Sequence, residues 1–268
     1  MDKRELEGRT TAYLSESGIN VFDGVTLFES PVFGYGLADD ALYEKLKQSA
    51  EANMRGLIMP KVWLPSAKTC ISVFMPFSEK VTRSNRNCGS EPSREWLYGR
   101  IEGQETVASL TRFTQKLLTD AGFKTVAPLF DERLRVVKEN ADPFVFGEGA
   151  SYTSTWSERH NAYICGLGTF GASRSFISKK GAAGRLFSLI TEAPFEKTER
   201  DYTGIYDYCS GCMTCAKKCP CGAISKAGKD NAKCAAYLAM MKEKFAPRYG
   251  CGKCQCGVPC ERQNPRGL

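Results

Sequence analysis

Apolar positions recur at different spacings along the 268 residues, and the spacing divides the chain into elements. Residues 1 to about 38 mix short apolar runs with Gly24, Pro31, Gly34 and Gly36, which predicts strands and turns packed on a larger body. From Asp39, read as a helix cap, Leu42, Leu46 and Ala50 follow at helical intervals. Cys70 to Phe77 is apolar, rich in strand formers and closed by Pro76, so it predicts a buried strand in which Cys70 serves packing. Residues 78 to 95 are polar and irregular, with Arg83, Arg86, Cys88 and Pro92, and predict a surface loop bordering a ligand. Val107, Leu110, Phe113, Leu117 and Leu118 mark one face of a helix over 106–121, stopped by Gly122, and 124–130 follows as a strand. Helices and strands in no strict alternation predict an α+β fold rather than a doubly wound sheet.

Between Thr155 and Ala193 the pattern changes. Thr155 with Glu158 has the spacing of a capping box, opening a helix through Arg159, Ala162 and Cys165 that should end at Gly166. Gly166-Leu167-Gly168-Thr169-Phe170-Gly171 then matches GxGxxG, with Glu192 at the distance of a ribose-binding acid. A dinucleotide site needs a strand before those glycines and a helix after them, and neither is predicted here. Three glycines in six residues still allow backbone to approach a ligand closely, with N–H groups free for phosphate or carboxamide oxygens.

Composition adds the chemistry. The chain has 13 cysteines, and most crowd into its last quarter. Cys209, Cys212, Cys215 and Cys219, followed by Pro220, form CxxCxxCxxxCP, the two-cluster ferredoxin run in which the last cysteine ligates the other cluster. Cys234, Cys251, Cys254, Cys256 and Cys260 lie downstream. The order assigns one 4Fe-4S cluster to Cys209, Cys212, Cys215 and Cys260, and the second to Cys219, Cys234, Cys251 and Cys254. Cys221 and Cys256 sit beside ligands and are possible substitutes, Cys256 for Cys260 in particular. A pair of zinc sites would use the CxxC pairs but leaves the third cysteine and the Cys-Pro unexplained. No CxxCH is present for a c-type haem.

The net charge of +7 belongs to this same region: from Lys197 on there are thirteen basic against six acidic residues, which leaves the first 196 neutral. Each cluster with its four thiolates carries about −2, so much of the excess offsets the clusters. A residual basic face suits an acidic electron donor such as a flavodoxin or ferredoxin. Met1-Asp2-Lys3-Arg4-Glu5 has no apolar leader and no run is long enough to span a membrane, so a reducing cytoplasm is the expected setting.

Ser157-Glu158-Arg159-His160, the Gly166 to Gly171 run, Gly181, Gly184 and Arg185, and then the cysteine set, stand in one order that resembles epoxyqueuosine reductase and its shorter relatives, which in turn resemble the reductive dehalogenases. Leu64-Pro65-Ser66-Ala67-Lys68-Thr69 ahead of the apolar strand also fits, as do Tyr249-Gly250-Cys251-Gly252-Lys253-Cys254 and Gly257-Val258-Pro259-Cys260-Glu261. The resemblance implies a nitroreductase-like core over residues 1–196 holding base-off cobalamin, and a ferredoxin-type domain over 197–268. It places Glu158, Arg159 and Gly166, Leu167, Gly168, Thr169, Phe170 and Gly171 at the cofactor. His160 is the only histidine, and no Asp-x-His-x-x-Gly surrounds it, which agrees with a corrinoid lacking a protein ligand.

Two departures matter. The chain stops eight residues after Cys260, without the helical extension that serves RNA, and the position of the family's proton-donating aspartate falls near Tyr152. Transfer RNA is therefore not the expected substrate. Tyr152, or His160 with its ordinary value near 6.5, is the expected proton donor. Three readings follow: a cobalamin-dependent reductase, a reductive activator of a separate corrinoid protein, and an electron carrier without cobalamin.

Overall fold

A computed structural model of the chain describes residues 1–267. Its centre is the apolar run. Thr69–Pro76 lies inside a four-stranded antiparallel sheet, ordered Val32–Leu37, Thr69–Pro76, Gly184–Thr191, Thr125–Val126, with all eight of its residues buried. It pairs with Gly184–Thr191 over its whole length, from Pro76 opposite Gly184 to Thr69 opposite Thr191. A strand covered on both faces has no polar side, which is why the sequence here shows no alternation. Ile71, Val73, Met75, Phe187 and Leu189 enter one apolar core, and Cys70, Phe74 and Ile190 enter a second.

Helices Lys3–Glu16 and Glu102–Asp120 belong to the first core, with Tyr13 stacked on Phe113 at 4.0 Å and the Thr10 and Thr114 hydroxyls 3.3 Å apart. The second core receives helix Glu158–Ile164, helix Leu42–Gln48 and Trp63. Helix and sheet are thus mixed around an antiparallel sheet, as expected of an α+β chain.

Several local expectations are corrected. The first 38 residues open with the helix Lys3–Glu16, capped by Asp2 and buried through Leu6, Thr10 and Leu14 at intervals of four. The stretch expected as a loop over 78–95 contains helix Glu79–Arg86 and runs into Arg94–Arg100, whose caps Ser78 and Ser93 accept from Val81 N and Trp96 N. Asp39 pairs with Lys61 at 3.0 Å, and it is Asp40 that accepts from Leu42 N at 2.9 Å ahead of the helix. The helix expected over 106–121 begins at Glu102, and the segment 124–130 divides into the short strand Thr125–Val126 and the 3-10 turn Pro128–Phe130.

The last quarter is built differently. Its regular elements are a short hairpin, Ile224–Ser225 with Gly228–Lys229, and helices Thr214–Lys217 and Asn231–Phe245. Its own apolar cluster consists of Cys215, Ile224 and Val258. It is tied to the core at several points. Ala182 N and Ala183 N donate to Cys260 O and Glu261 O at 2.7 and 3.1 Å. The buried Glu261 carboxylate receives Arg86 Nη2 at 2.6 Å. Gly252, at φ +69°, lies flat on Trp96, where a Cβ would come within 2.0 Å of the indole. The Lys253 ammonium is buried and donates to Asn85 O at 2.6 Å and Cys88 O at 3.0 Å. Among the described residues, no helix is long and apolar enough to cross a membrane.

Candidate functional site

Helix Glu158–Ile164 sets the site. Ser157, not Thr155, is its cap: Ser157 Oγ accepts from His160 N and lies 2.8 Å from His160 Nδ1. Thr155 is turned away, its hydroxyl accepting from Arg135 N and donating to Arg133 O. The helix ends at Ile164 with Cys165 as its cap and Gly166 at φ +81°, as the glycine predicts.

Around the start of this helix lie two cavities. The first, of about 260 Å³, is walled by Tyr152, Arg159, His160, Phe170 and Arg174, with Lys229 reaching in from the cysteine-rich part. The second, of about 290 Å³, is walled by Glu158, Arg185, Ser175 and Gln255, and Arg159 lines both. Glu158 Oε2 is enclosed without a hydrogen-bond partner. Burial raises this carboxyl to about 7, opposed by a hydrogen bond from Ser188. Burial and then the Arg159 charge push His160 down to about 3, so the ring is neutral across the physiological range. It packs against Phe170 with ring centres 4.8 Å apart. Tyr152 holds a left-handed φ of +51°, and its N donates to Lys138 O at 3.1 Å.

Most of the glycine run is used internally. Gly168–Phe170 is a buried strand paired with Phe176–Ser178. The N–H groups of Gly166, Leu167, Phe170 and Gly171 donate to Tyr163 O, Ala162 O, Ile205 O and Ser175 O, and Thr169 Oγ1 accepts from Tyr208 N. Of the six residues, Phe170 faces the first cavity, and Gly171 borders the cysteines.

The cysteines form two adjoining groups: burial and then the charge of Cys254, in the second, raise the Cys215 thiol in the first. Cys209, Cys212, Cys215 and Cys260 ring a third, small cavity against Gly171 and Ser173. Burial, reinforced by Cys209, Cys215 and Cys212, raises the Cys260 thiol to about 12. In the second group, burial and then Cys254 and Cys234 raise Cys251 to about 12, although a backbone hydrogen bond from Lys253 opposes them. Burial also raises Cys254, with Cys234 and Cys219 adding to it, against Lys229 and a hydrogen bond from Ser175. Cys221 lies within this second group, 3.6 Å from Cys219 sulfur to sulfur. Cys256 stands apart from the first group, buried in the main core with its sulfur receiving Asn85 Nδ2 at 3.5 Å. Among the described residues, no three His, Cys, Asp or Glu side chains converge in a single-ion grip.

The positions of Arg174 and Lys229 in the first cavity were missed in the sequence. Lys229 is brought there by a hairpin of the distant cysteine-rich part and Arg174 by the turn just after Phe170, and neither carries a local signal.

The chain is an antiparallel sheet with helices on both faces, joined to a segment in which cysteines gather around a small cavity. No protein-family model matches the chain, and no curated protein sequence matches it either. Solved structures do match in fold. The epoxyqueuosine reductase of Streptococcus thermophilus aligns at a TM-score of 0.51 and 20% identity, covering 99% of this chain and 66% of that one. An epoxyqueuosine reductase solved with a tRNA-Tyr epoxyqueuosine-modified stem loop aligns at 0.51 and 19%, covering 96% and 66%. A reductive dehalogenase linked to B12-dependent dehalogenation aligns at 0.50 and 17%, covering 88% of this chain and 31% of that one. The chain therefore shares the fold of these reductases over nearly its whole length, while spanning just under two thirds of the first and about a third of the last.

Proposed function

We propose that this chain is an iron–sulfur, cobalamin-dependent reductase of the epoxyqueuosine reductase kind, in which two 4Fe-4S clusters pass low-potential electrons one at a time toward a base-off corrinoid. One observation carries the reading: the cysteines of the last quarter crowd together, four of them around one small cavity, in a chain with this fold. The first group, Cys209, Cys212, Cys215 and Cys260, includes the exposed Cys212 and suits entry of electrons from a flavodoxin or ferredoxin. The second, Cys219, Cys234, Cys251 and Cys254, borders the cofactor side, where Ser175 bonds Cys254 and also lines the second cavity. The enclosed position of Cys256 favours Cys260 as the fourth ligand of the first cluster. Loading iron displaces protons from thiols that burial has raised, so assembly is favoured at higher pH.

For the corrinoid, the fit is one of chemistry. Glu158 Oε2 lacks a partner and Arg159 lines both cavities, so the pair would hold its amide fringe. When bound base-off, the group supplies a strongly reducing, nucleophilic cobalt. Tyr152 and His160 face the same cavity. Since His160 is held neutral, it serves better to position through Ser157 than to donate a proton, which leaves Tyr152 as the donor.

The test is anaerobic reconstitution with iron and sulfide, then titration with cobalamin followed by visible and EPR spectroscopy. About eight irons per chain are expected for two cubanes, with a Co(II) signal free of nitrogen superhyperfine splitting. Eight irons without corrinoid binding would leave an electron carrier. Binding that supports turnover only with a second corrinoid protein present would make it an activator. Small electron-poor substrates and modified tRNA both belong in the turnover assay, because one protein of this fold was solved with a tRNA stem loop. Tyr152→Phe should then lower kcat by about 10²-fold or more, the usual contribution of a positioned proton donor.

A further inference from the structure

We propose that the first cavity is an oxyanion-binding site at Arg159, Arg174 and Lys229, so that the molecule taken up there carries a carboxylate or phosphate. The three cations come from separate elements: the helix Glu158–Ile164, the turn between Gly168–Phe170 and Phe176–Ser178, and the hairpin strand Gly228–Lys229. They line one cavity of about 260 Å³. Among the described residues, none of the three forms an ion pair with a carboxylate.

Like charges are crowded here without a counter-ion. Although Arg159 as a whole is exposed, desolvation and then the Arg174 charge pull its guanidinium below its ordinary value, and Arg159 acts in the same direction on His160. Arg159 Nη1 donates to Arg174 O, so the two arginines are held together. Arg174 itself keeps a left-handed φ of +57°, a conformation that residues other than glycine adopt against a steric penalty. The one carboxylate on the wall among the described residues, Glu51, is exposed and receives the Tyr206 hydroxyl at 2.9 Å. A ligand oxyanion would relieve the repulsion and gain charge-assisted hydrogen bonds. At ~30 Å³ per water the space equals roughly nine waters, enough for a single ring bearing its anionic group.

This inference extends the reductase reading without depending on it, because the charges belong to the chain. Lys229 also faces Cys219 and Cys254, so Arg174 gives the cleaner test. The experiment is calorimetric titration of the full chain with benzoate and with its neutral isostere benzamide at low ionic strength. Benzoate should bind once per chain and benzamide should not. Arg174→Gln should weaken benzoate by about tenfold or more, the loss of one charged hydrogen bond, while Arg174→Lys retains part of the affinity. Equal behaviour of benzoate and benzamide, absence of benzoate binding, or unchanged binding in a folded Arg174→Gln overturns the proposal.

Repeating the titration with cobalamin and with cobinamide, which lacks the phosphodiester, assigns the source. Benzoate binding that survives both assigns the anion to the substrate, and loss with cobalamin alone assigns it to the cofactor's phosphodiester. Failure to take up either corrinoid would sink the reductase reading while the benzoate titration still reports on the anion site.

Discussion

The sheet and the cysteine-rich segment are held together by different means. Thr69–Pro76 and Gly184–Thr191 are paired residue by residue, and most of their side chains enter one of two apolar cores. The segment after residue 197 has a two-residue hairpin, a helix of 15 residues with only Met241 buried, and an apolar cluster of three. Hydrophobic burial alone suffices for the first. The second has little apolar surface of its own and leans on its seam with the core; on the proposed reading, metal held by its thiols supplies the rest.

Iron removal is the strongest way to break that contrast. Chelation under reducing conditions should abolish amide protection across Asn231–Phe245 and the loop of Cys251 to Cys260, while Thr69–Pro76 stays protected in hydrogen exchange. Equal loss in both regions would show that they fold as one unit. The complementary change is Leu189→Ala, which opens a hole at a fully buried position of the sheet. It should cost about 2–5 kcal/mol in denaturant unfolding, with the iron content of the folded protein unchanged.

The smallest effect is electrostatic and separates the cavity from both. Glu158 has its carboxyl raised from 4.5 to about 7, so the folded chain holds that proton when the unfolded chain has lost it. Its contribution is therefore fully present below about pH 4.5 and declines as pH rises toward 7, with no further change above. Glu158→Gln should flatten that part of the stability profile, measured by thermal melts across pH 4 to 8 in low salt.

What could be read in the sequence follows the same division. The buried strand was legible because burial on both faces leaves an apolar run interrupted by Ser72 alone, and the long helix because Val107, Leu110, Leu117 and Leu118 recur on one side, although Thr106, Thr111 and Thr114 share it. The helix Lys3–Glu16 was missed since only Leu6, Thr10 and Leu14 are buried and one of these is polar, although Asp2 ahead of Glu5 was a usable cap signal. Helices Glu79–Arg86 and Arg94–Arg100 were hidden by their polarity, with Ser78 and Ser93 as overlooked caps. The cysteine pattern was plain, because the residues recur at fixed local spacing. The cavity was only half visible. Tyr152, Arg159, His160, Phe170 and Arg174 lie in one short stretch, but Lys229 joins them through tertiary folding. In the glycine run, Gly168 lets a strand pass close to Ile177, a packing demand that the spacing alone does not reveal.

The contact of Gly252 with Trp96 has an optical consequence. Trp96 is one of three tryptophans, and it lies flush with the backbone between Cys251 and Cys254. Trp63 and Trp156 stand edge to face with each other at 6.1 Å in the other core. A coloured iron–sulfur group on those two cysteines would drain the excited indole of Trp96 by energy transfer and leave the distant pair brighter. The chain thus carries an internal fluorescence gauge of whether its second group of cysteines is filled, readable without adding any label.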